Sequence, residues 1–217
     1  MTTPILLATG FDVFPGAPEN PTAWAMGELQ REGWQPQGAR LVTAVLPVRY
    51  DAWQAVAKPL LAREKPQAVV AFGLSAKTTG FTLESTARNC VAPDRADFLG
   101  VHWKGDRIAL GGVDIYPSSL PFVDIVRNLQ ANNLPFVRSD DAGDYLCNML
   151  FYNLMQGATE LGLRMAGFIH APFLTTQVER LTKAGLTIPH GASLSEDDFL
   201  KGVKLILDTC ANALHKN

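Results

Sequence analysis

Short, continuously apolar runs alternate along this chain with longer segments whose apolar residues recur at helical spacing. Continuous apolar runs of this length are typical of strands that are buried on both faces of a sheet. The pattern predicts strands at residues 5–9, 39–48, 68–72 and 165–169, and helices at residues 21–31, 50–63, 117–129, 141–155 and 195–214. We therefore expect an α/β fold with a twisted, mostly parallel sheet covered on both faces, and a hairpin with loops over residues 90–116.

The composition predicts a substantial core and argues against several classes of partner. Hydrophobic residues make up 47% and charged residues 18% of the 217 residues, which suits one domain spanning residues 1–217. The net charge is −2 and the pI is about 6.1, so neither nucleic acid nor an anionic membrane surface is favoured. No apolar run approaches the ~20 residues of a membrane span, and the N-terminus does not resemble a signal peptide.

The three cysteines are sparse and show no CxxC pair or zinc-type Cys/His spacing. We therefore expect free thiols, no metal and a reducing, cytoplasmic location. The chain also contains no dinucleotide-binding fingerprint and no P-loop, so no cofactor is predicted.

Candidate functional residues follow the ends of three predicted strands, at Gly10–Phe11, at Gly73–Leu74 and at His170. In a mostly parallel sheet the carboxyl ends of the strands meet at one edge, and ligands bind outside that edge. The sequence therefore predicts that these residues share one rim.

Cys147 lies near the start of the predicted helix 141–155, just after capping-type residues. A helix start carries roughly +0.5 of an elementary charge, which favours a thiolate over a thiol. Cys147 is therefore a candidate nucleophile, and the alternative is a small buried hydrophobic residue, the commoner role of a lone cysteine. Asp140, Asp141 and Asp144 would oppose a thiolate, so we expect them to face away, to act as caps, or to be offset by His170.

His170 and Glu84 are candidate partners of that cysteine. His170 would serve as general base, and Glu84 would orient its imidazole and hold one tautomer, as the third member of a triad does. The alternatives are a hydrogen-bonded core histidine and a solvated carboxylate at a helix start capped by Thr82.

Two aromatic residues, Phe11 and Phe14, lie on a predicted loop where they could cover a small apolar ligand. The alternative is a hydrophobic loop that packs into the core. We expect the remaining candidates to be structural or solvated: His102, His190, His215, Cys90 and Cys210.

Four segments, in order along the chain, resemble motifs of the pyroglutamyl peptidase I family, also called pyrrolidone-carboxylate peptidase. Residues 7–14 (LATGFDVF) look like its TGF-x-PF strand and loop, and residues 84–89 (ESTARN) are similar to its E-x-x-A-x-N segment. Residues 142–152 (AGDYLCNMLFY) resemble its AG-x-x-x-CN-x-L-FY signature, and residues 167–172 (GFIHAP) resemble its GFIH-x-P motif. The resemblance covers the chain from residue 5 to about residue 177.

The resemblance implies a three-layer α/β/α fold and a cofactor-free cysteine peptidase acting on a small peptide or amide. Cys147 would attack the amide that joins an N-terminal pyroglutamyl residue to the next residue. His170 would take and return the proton, Glu84 would orient His170, and backbone N–H groups at the helix start would stabilise the oxyanion.

The same resemblance assigns substrate contacts and an assembly. It implies that the pyrrolidone ring is flanked by Phe11 and Phe14 and contacted at Leu74 and Leu146. It also implies a homo-oligomer, either a dimer or a tetramer.

The chain departs from the family pattern at several positions near the expected pocket or beside the acid. Leu74 takes the place of a glutamine, Val13 replaces a proline, Ser85 replaces an arginine, and Arg88 replaces an apolar residue. Losing a polar contact can change discrimination strongly. Two further hypotheses therefore stay open: a cysteine hydrolase of another small cyclic or N-acylated amide, and a non-catalytic binding protein that kept the fold.

Overall fold

The computed structural model describes residues 3–14, 18–186 and 192–216. Its strands are β1 (Ile5–Phe11), β2 (Arg40–Leu46), β3 (Ala68–Leu74), β4 (Phe81–Glu84), β5 (Thr86–Arg88), β6 (Ile115–Pro117), β7 (Phe136–Ser139), β8 (Met165–Ala171), β9 (Phe173–Leu174) and β10 (Ser193–Leu194). Its helices are α1 (Pro21–Arg31), α2 (Lys58–Glu64), α3 (Phe122–Ala131), α4 (Leu146–Gly157), α5 (Thr175–Lys183) and α6 (Glu196–Ala213). All four predicted strands are present, as β1, β2, β3 and β8.

Six strands form the central sheet, in the order β2-β1-β3-β8-β4-β7. The first four strands run parallel to one another. β4 runs antiparallel to β8, and β7 runs parallel to β4. The prediction of a mostly parallel sheet is confirmed, with a reversal at β4 that the apolar pattern did not indicate.

The sheet separates two apolar cores, as expected for strands whose successive side chains point to opposite faces. Leu6 and Ile169 pack on the face covered by α1, α3 and α6. Leu7 and Phe168 pack on the opposite face, against α2 and α4. The expected α/β/α layering is therefore confirmed, and α4 lies on the second face.

The helix predicted at residues 141–155 begins later, at Leu146. Gly143 has a φ of 82°, a left-handed conformation that does not continue into a helix. Its N–H is held by the Asp141 carboxylate at 3.0 Å, which closes a local turn. The prediction was wrong by five residues, and the later start places Cys147 in the first helical turn.

Two other helix starts also differ from the prediction. The segment 50–63 begins with a π-helical turn, Trp53–Ala57, before α2. Pro59 has no N–H for an α-helical bond, and the preceding Lys58 N–H bonds to the Trp53 carbonyl instead. The helix predicted from residue 117 begins at Phe122, because residues 115–117 pair with β5 as strand β6.

The predicted helices 21–31 and 195–214 are confirmed as α1 and α6. Ser195 caps α6 by accepting a hydrogen bond from the Asp198 N–H at 3.1 Å. Residues 90–116 are mainly loops, as expected, and they connect the two strands of the β5–β6 hairpin, whose first strand lies before residue 90. The Asn89 side chain holds this segment, donating to the Ala109 carbonyl and accepting from the Ala109 N–H, both at 2.9 Å.

Candidate active site

Cys147 is the second residue of α4, with its side chain partly exposed. The residue before the helix, Tyr145, has an extended backbone and makes no side-chain capping bond, and the first turn contains no acidic residue. The positive end of the helix therefore acts on the thiol without a competing anionic cap.

The three aspartates that precede Cys147 each have a partner other than the thiol. Asp140 is paired with Arg88 at 3.8 Å, and Asp144 is paired with Arg95 at 3.7 Å. The Asp141 carboxylate accepts the Gly143 N–H in the turn described above. The conflict between these charges and a thiolate is thereby reduced by neighbouring cations and a backbone donor.

His170 and Glu84 are brought together by the reversal of β4. In the β4–β8 register Thr82 lies opposite His170 and Glu84 lies opposite Phe168. Directly opposed residues of an antiparallel pair share a face, so Glu84 reaches His170 diagonally. Since β4 runs against β8, the carboxyl end of β4 does not end at the rim where His170 lies.

The imidazole of His170 interacts with both Glu84 and Cys147. Its Nδ1 lies 2.7 Å from Glu84 Oε1, and the side chain of Cys147 also acts on the ring. Burial alone would lower the pKa of His170, but the charge and hydrogen bond of Cys147, followed by those of Glu84, outweigh it and raise that pKa to about 10. The imidazole is therefore held in its protonated form at neutral pH.

The carboxylate of Glu84 is deeply buried, with 2% of the residue exposed. The alternative of a solvated carboxylate at a helix start is therefore wrong, because residues 81–84 form the interior strand β4. One oxygen of Glu84 bonds to His170, and the other, Oε2, has no hydrogen-bond partner among the described residues. The imidazolium is thus the main compensation for this buried negative charge.

One cavity of about 640 Å³ contains every residue that the sequence singled out for the site. Its lining combines aromatic and leucine side chains with the three titratable groups of the predicted site. The predicted residues on its surface are Phe11, Phe14, Leu74, Leu146, Cys147, His170 and Glu84. This volume lies within the ~300–1,000 Å³ that is typical of small-molecule sites.

Two residues that support the site were not recognised as functional from the sequence. A Cβ on Gly73 would lie 3.0 Å from Cys147 Sγ and 2.6 Å from Phe168 Cζ, so only glycine fits beside the thiol. Asn148 is fully buried and bonds through its amide to the backbone N–H and carbonyl of Arg88, which ties the start of α4 to β5. An amide residue within an otherwise apolar stretch of the sequence was the available signal for Asn148.

Of the four departures from the family pattern, only Leu74 contributes to the cavity wall. Arg88 was expected near the pocket or the acid, but its guanidinium donates to the Asp140 carbonyl at 3.1 Å. Ser85 donates to the Ser139 carbonyl at 2.9 Å, and Val13 is exposed.

The other cysteines have environments that disfavour a thiolate. Burial, followed by Asp141 and Asp144, raises the pKa of Cys90, and complete burial raises the pKa of Cys210. Neither lines the cavity.

Two of the remaining histidines, His102 and His215, are not part of the cavity lining. His102 hydrogen-bonds to the Pro93 carbonyl and His215 to the Gly38 carbonyl, both outside the cavity lining, while His190 lies outside the described residues. Within the described ranges, no three His, Cys, Asp or Glu side chains are grouped so that they could hold a metal ion. No helix in the same ranges has the length and apolar character needed to cross a membrane.

A three-layer α/β protein that brings a cysteine, a histidine and a carboxylate together in one cavity, with the histidine and the carboxylate hydrogen-bonded, has the architecture of a cysteine hydrolase. The model of the pyroglutamyl peptidase family matches residues 5–213. The chain therefore belongs to the pyroglutamyl peptidase family.

Individual relatives agree with this assignment. Pyrrolidone-carboxylate peptidase 1 of Ralstonia nicotianae is 33% identical over 207 residues, which cover 95% of this chain and 92% of that protein. A mutant pyrrolidone carboxyl peptidase from Pyrococcus furiosus has a TM-score of 0.87 at 28% identity, covering 97% of this chain and 99% of that one. Pyroglutamyl peptidase I of Bacillus amyloliquefaciens has a TM-score of 0.84 at 28% identity, covering 96% and 97%.

Proposed function

We propose that this protein is a cysteine peptidase that removes an N-terminal pyroglutamyl residue from peptides, using Cys147, His170 and Glu84. The observation that carries the proposal is that Cys147 and the hydrogen-bonded pair of His170 and Glu84 line one cavity. Family membership and the names of the relatives supply the substrate class.

In the first half of the reaction the Cys147 thiolate attacks the carbonyl carbon that joins pyroglutamate to the next residue. The carbonyl oxygen becomes an oxyanion, and the backbone N–H groups at the start of α4 are placed to stabilise it. The C–N bond then breaks, and the His170 imidazolium gives its proton to the departing amine. The raised pKa of His170 keeps that proton available at neutral pH.

In the second half, water hydrolyses the thioester that joins Cys147 to the pyroglutamyl group. His170, now neutral, takes a proton from the water as the oxygen attacks the thioester carbonyl. The carbon–sulfur bond breaks, which releases pyroglutamate and restores the thiolate beside the imidazolium. Glu84 stabilises the imidazolium of the free enzyme and orients the ring throughout the reaction.

The cavity wall fits the pyrrolidone ring, which is small and presents apolar faces. Phe11 is packed against Phe168 with ring centroids 6.5 Å apart, which supports it from behind. Phe14, Leu74 and Leu146 complete the apolar wall. A flat five-membered ring between aromatic and leucine side chains buries its apolar surface, while the amide remains at the thiol.

A second candidate function is hydrolysis of another small cyclic or N-acylated amide by the same residues. Leu74 favours it, because this apolar side chain stands on the cavity wall where the family resemblance places a glutamine. A pocket without that polar group would discriminate less against substrates that lack its partner.

Hydrolysis of a fluorogenic pyroglutamyl amide by wild type, Cys147→Ala and Cys90→Ala tests the proposal. We expect cleavage by wild type and by Cys90→Ala, the matched thiol control, and no cleavage by Cys147→Ala. A folded wild type that leaves the amide intact while Cys147 alkylates rapidly with iodoacetamide would reject the substrate and favour the second candidate. Slow alkylation of Cys147 would favour a binding protein.

The proposal also includes one domain over residues 1–217, a cytoplasmic location and a homo-oligomer, dimer or tetramer. The cytoplasm suits a reaction that needs Cys147 reduced. Exposed apolar side chains in the segment 98–115 support self-association: Phe98, Leu99, Val101, Leu110, Val113 and Ile115. Light scattering after gel filtration measures the mass, and a monomer at working concentrations would contradict the assembly.

A further inference from the structure

Thr78 and Thr82, two threonines beside the site, are hydrogen-bonded to each other, and the donor in that bond can be identified. Thr78 Oγ1 donates to the Gly80 carbonyl at 2.8 Å, and Thr78 Oγ1 is also hydrogen-bonded to Thr82 Oγ1. A hydroxyl carries only one proton. Since the Thr78 proton is used on Gly80, Thr82 must be the donor in the bond between the two threonines.

Thr82 Oγ1 is therefore left as an acceptor with unused lone pairs. Thr82 is 7% exposed and lines the cavity, and no donor to its oxygen is found among the described residues. The hydroxyl proton faces Thr78, so Thr82 cannot also donate into the cavity without breaking that bond. The position presents a fixed acceptor to whatever occupies the site.

The acceptor lies next to the imidazole that transfers the proton. Thr82 is the cross-strand partner of His170, and directly opposed residues share a face with Cβ atoms about 4.5–5.5 Å apart. Nδ1 of His170 is engaged by Glu84, and Thr82 Oγ1 is bonded to Thr78 rather than to the imidazole. Thr82 is thus free to receive a proton donor from the reactants.

The reaction brings such a donor to His170 twice. The amide nitrogen of the leaving group must approach His170 to receive its proton, and this nitrogen carries a hydrogen of its own. The water that later attacks the thioester gives one hydrogen to His170 and keeps the other. In both steps one hydrogen remains that needs an acceptor beside the imidazole.

We infer that Thr82 Oγ1 accepts this second hydrogen, first from the leaving-group N–H and then from the hydrolytic water. This inference rests on the proposed function. Thr82 holds the leaving-group nitrogen, and later the water oxygen, in line with His170. Thr82 therefore contributes to the two proton-transfer steps. Its contribution to acylation requires a leaving group with an N–H.

The experiment compares a pyroglutamyl anilide-type amide with the corresponding pyroglutamyl ester for wild type, Thr82→Val, Thr82→Ser and the control Thr43→Val. Thr43 lies on β2 and does not line the cavity. Valine keeps the shape of threonine and suits a strand, and Thr78 keeps its bonds to Gly80. The ester leaving group has no hydrogen on its oxygen, so it cannot make the contact during acylation.

We expect Thr82→Val to lower kcat/KM for the amide by about 3- to 10-fold, the loss typical of one neutral hydrogen bond. For the ester, kcat/KM reports acylation and should stay at the wild-type value. The rate of thioester hydrolysis, measured after the initial burst, should fall by a similar factor. Thr82→Ser should retain wild-type rates in each measurement, as should Thr43→Val.

Equal losses of kcat/KM for amide and ester in Thr82→Val would overturn the inference, because a distorted His170 would slow both acylations alike. Wild-type rates on both substrates in that variant would overturn it as well. If the wild type cleaves neither substrate, the proposed function is overturned, and the role of Thr82 with it. This outcome differs from the first two, in which the wild type is active.

Discussion

The buried contact between Glu84 and His170 makes a sharp prediction for Glu84→Gln. The substitution keeps the size of the side chain and leaves an oxygen that can accept the Nδ1 proton, so the ring can keep its orientation. It removes the negative charge that lies 2.7 Å from the imidazole in a site with 2% of Glu84 exposed. The variant therefore separates the effect of the Glu84 charge from the effect of Glu84 on the orientation of the His170 ring.

The size of the effect follows from the kind of hydrogen bond that is lost. A hydrogen bond to a charged group contributes about 1.5–3 kcal/mol, against about 1 kcal/mol for a neutral one. At about 1.4 kcal/mol per pKa unit, losing the difference should lower the pKa of His170 by roughly one unit, from about 10. Because the pKa of His170 is raised to about 10, the imidazolium that protonates the leaving amine is present below pH 10 and is lost as the pH rises through that value.

The assay is the alkaline limb of kcat/KM for pyroglutamyl amide hydrolysis. We expect that limb to move down by roughly one pH unit in Glu84→Gln. Asp140→Asn is the matched control, because it removes one exposed carboxylate that is paired with Arg88 and does not line the cavity. Its limb should coincide with that of wild type.

A folded Glu84→Gln protein whose alkaline limb coincides with that of wild type would refute the reasoning. It would show that the charge of Glu84 does not set the protonation of His170. Circular dichroism and thermal unfolding establish that the variant is folded, since a buried amide without an acceptor for its N–H groups costs about 1–3 kcal/mol.

Two further results are expected from the surroundings of the thiol. Gly73→Ala should lower the free energy of unfolding by about 1–3 kcal/mol in chemical denaturation and should reduce kcat, because the new Cβ would lie 3.0 Å from Cys147 Sγ. Unchanged stability and activity would show that the space beside the Cys147 thiol is not needed. Mass-spectrometric mapping after iodoacetamide treatment at pH 6.5 should find Cys147 alkylated well before Cys90 and Cys210, whose pKa values are raised. Comparable rates for all three thiols would contradict an activated Cys147.

The predictions from apolar patterns were most successful for strands whose burial is visible in the local sequence. The strands β1, β3 and β8 are continuous apolar runs because they lie inside the sheet, and that burial is visible as composition. β4 was missed because it has only four residues, with threonine and glutamate among them, so no apolar run marks it. Both polar residues are buried there and line the cavity.

Helix starts were predicted less well, because turn geometry competes with helical spacing. Residues 141–145 contain a helical pattern of apolar residues when read with α4, yet the positive φ of Gly143 and the bond from Asp141 hold a turn. This difference is small in sequence but decisive in chemistry, since it puts Cys147 in the first turn of α4.

The sequence by itself determined the α/β class and the family, and its motifs named Cys147, His170 and Glu84. It did so because buried strands, helix starts and catalytic residue types leave local patterns. The tertiary structure alone decided the direction of β4 and therefore which residues face His170. The pairing of β4 with β8 brings together Glu84 and His170, which are 86 positions apart in the sequence. The same pairing places Thr82 opposite His170, and the hydrogen bond between Thr82 and Thr78 leaves the Thr82 oxygen as an acceptor there.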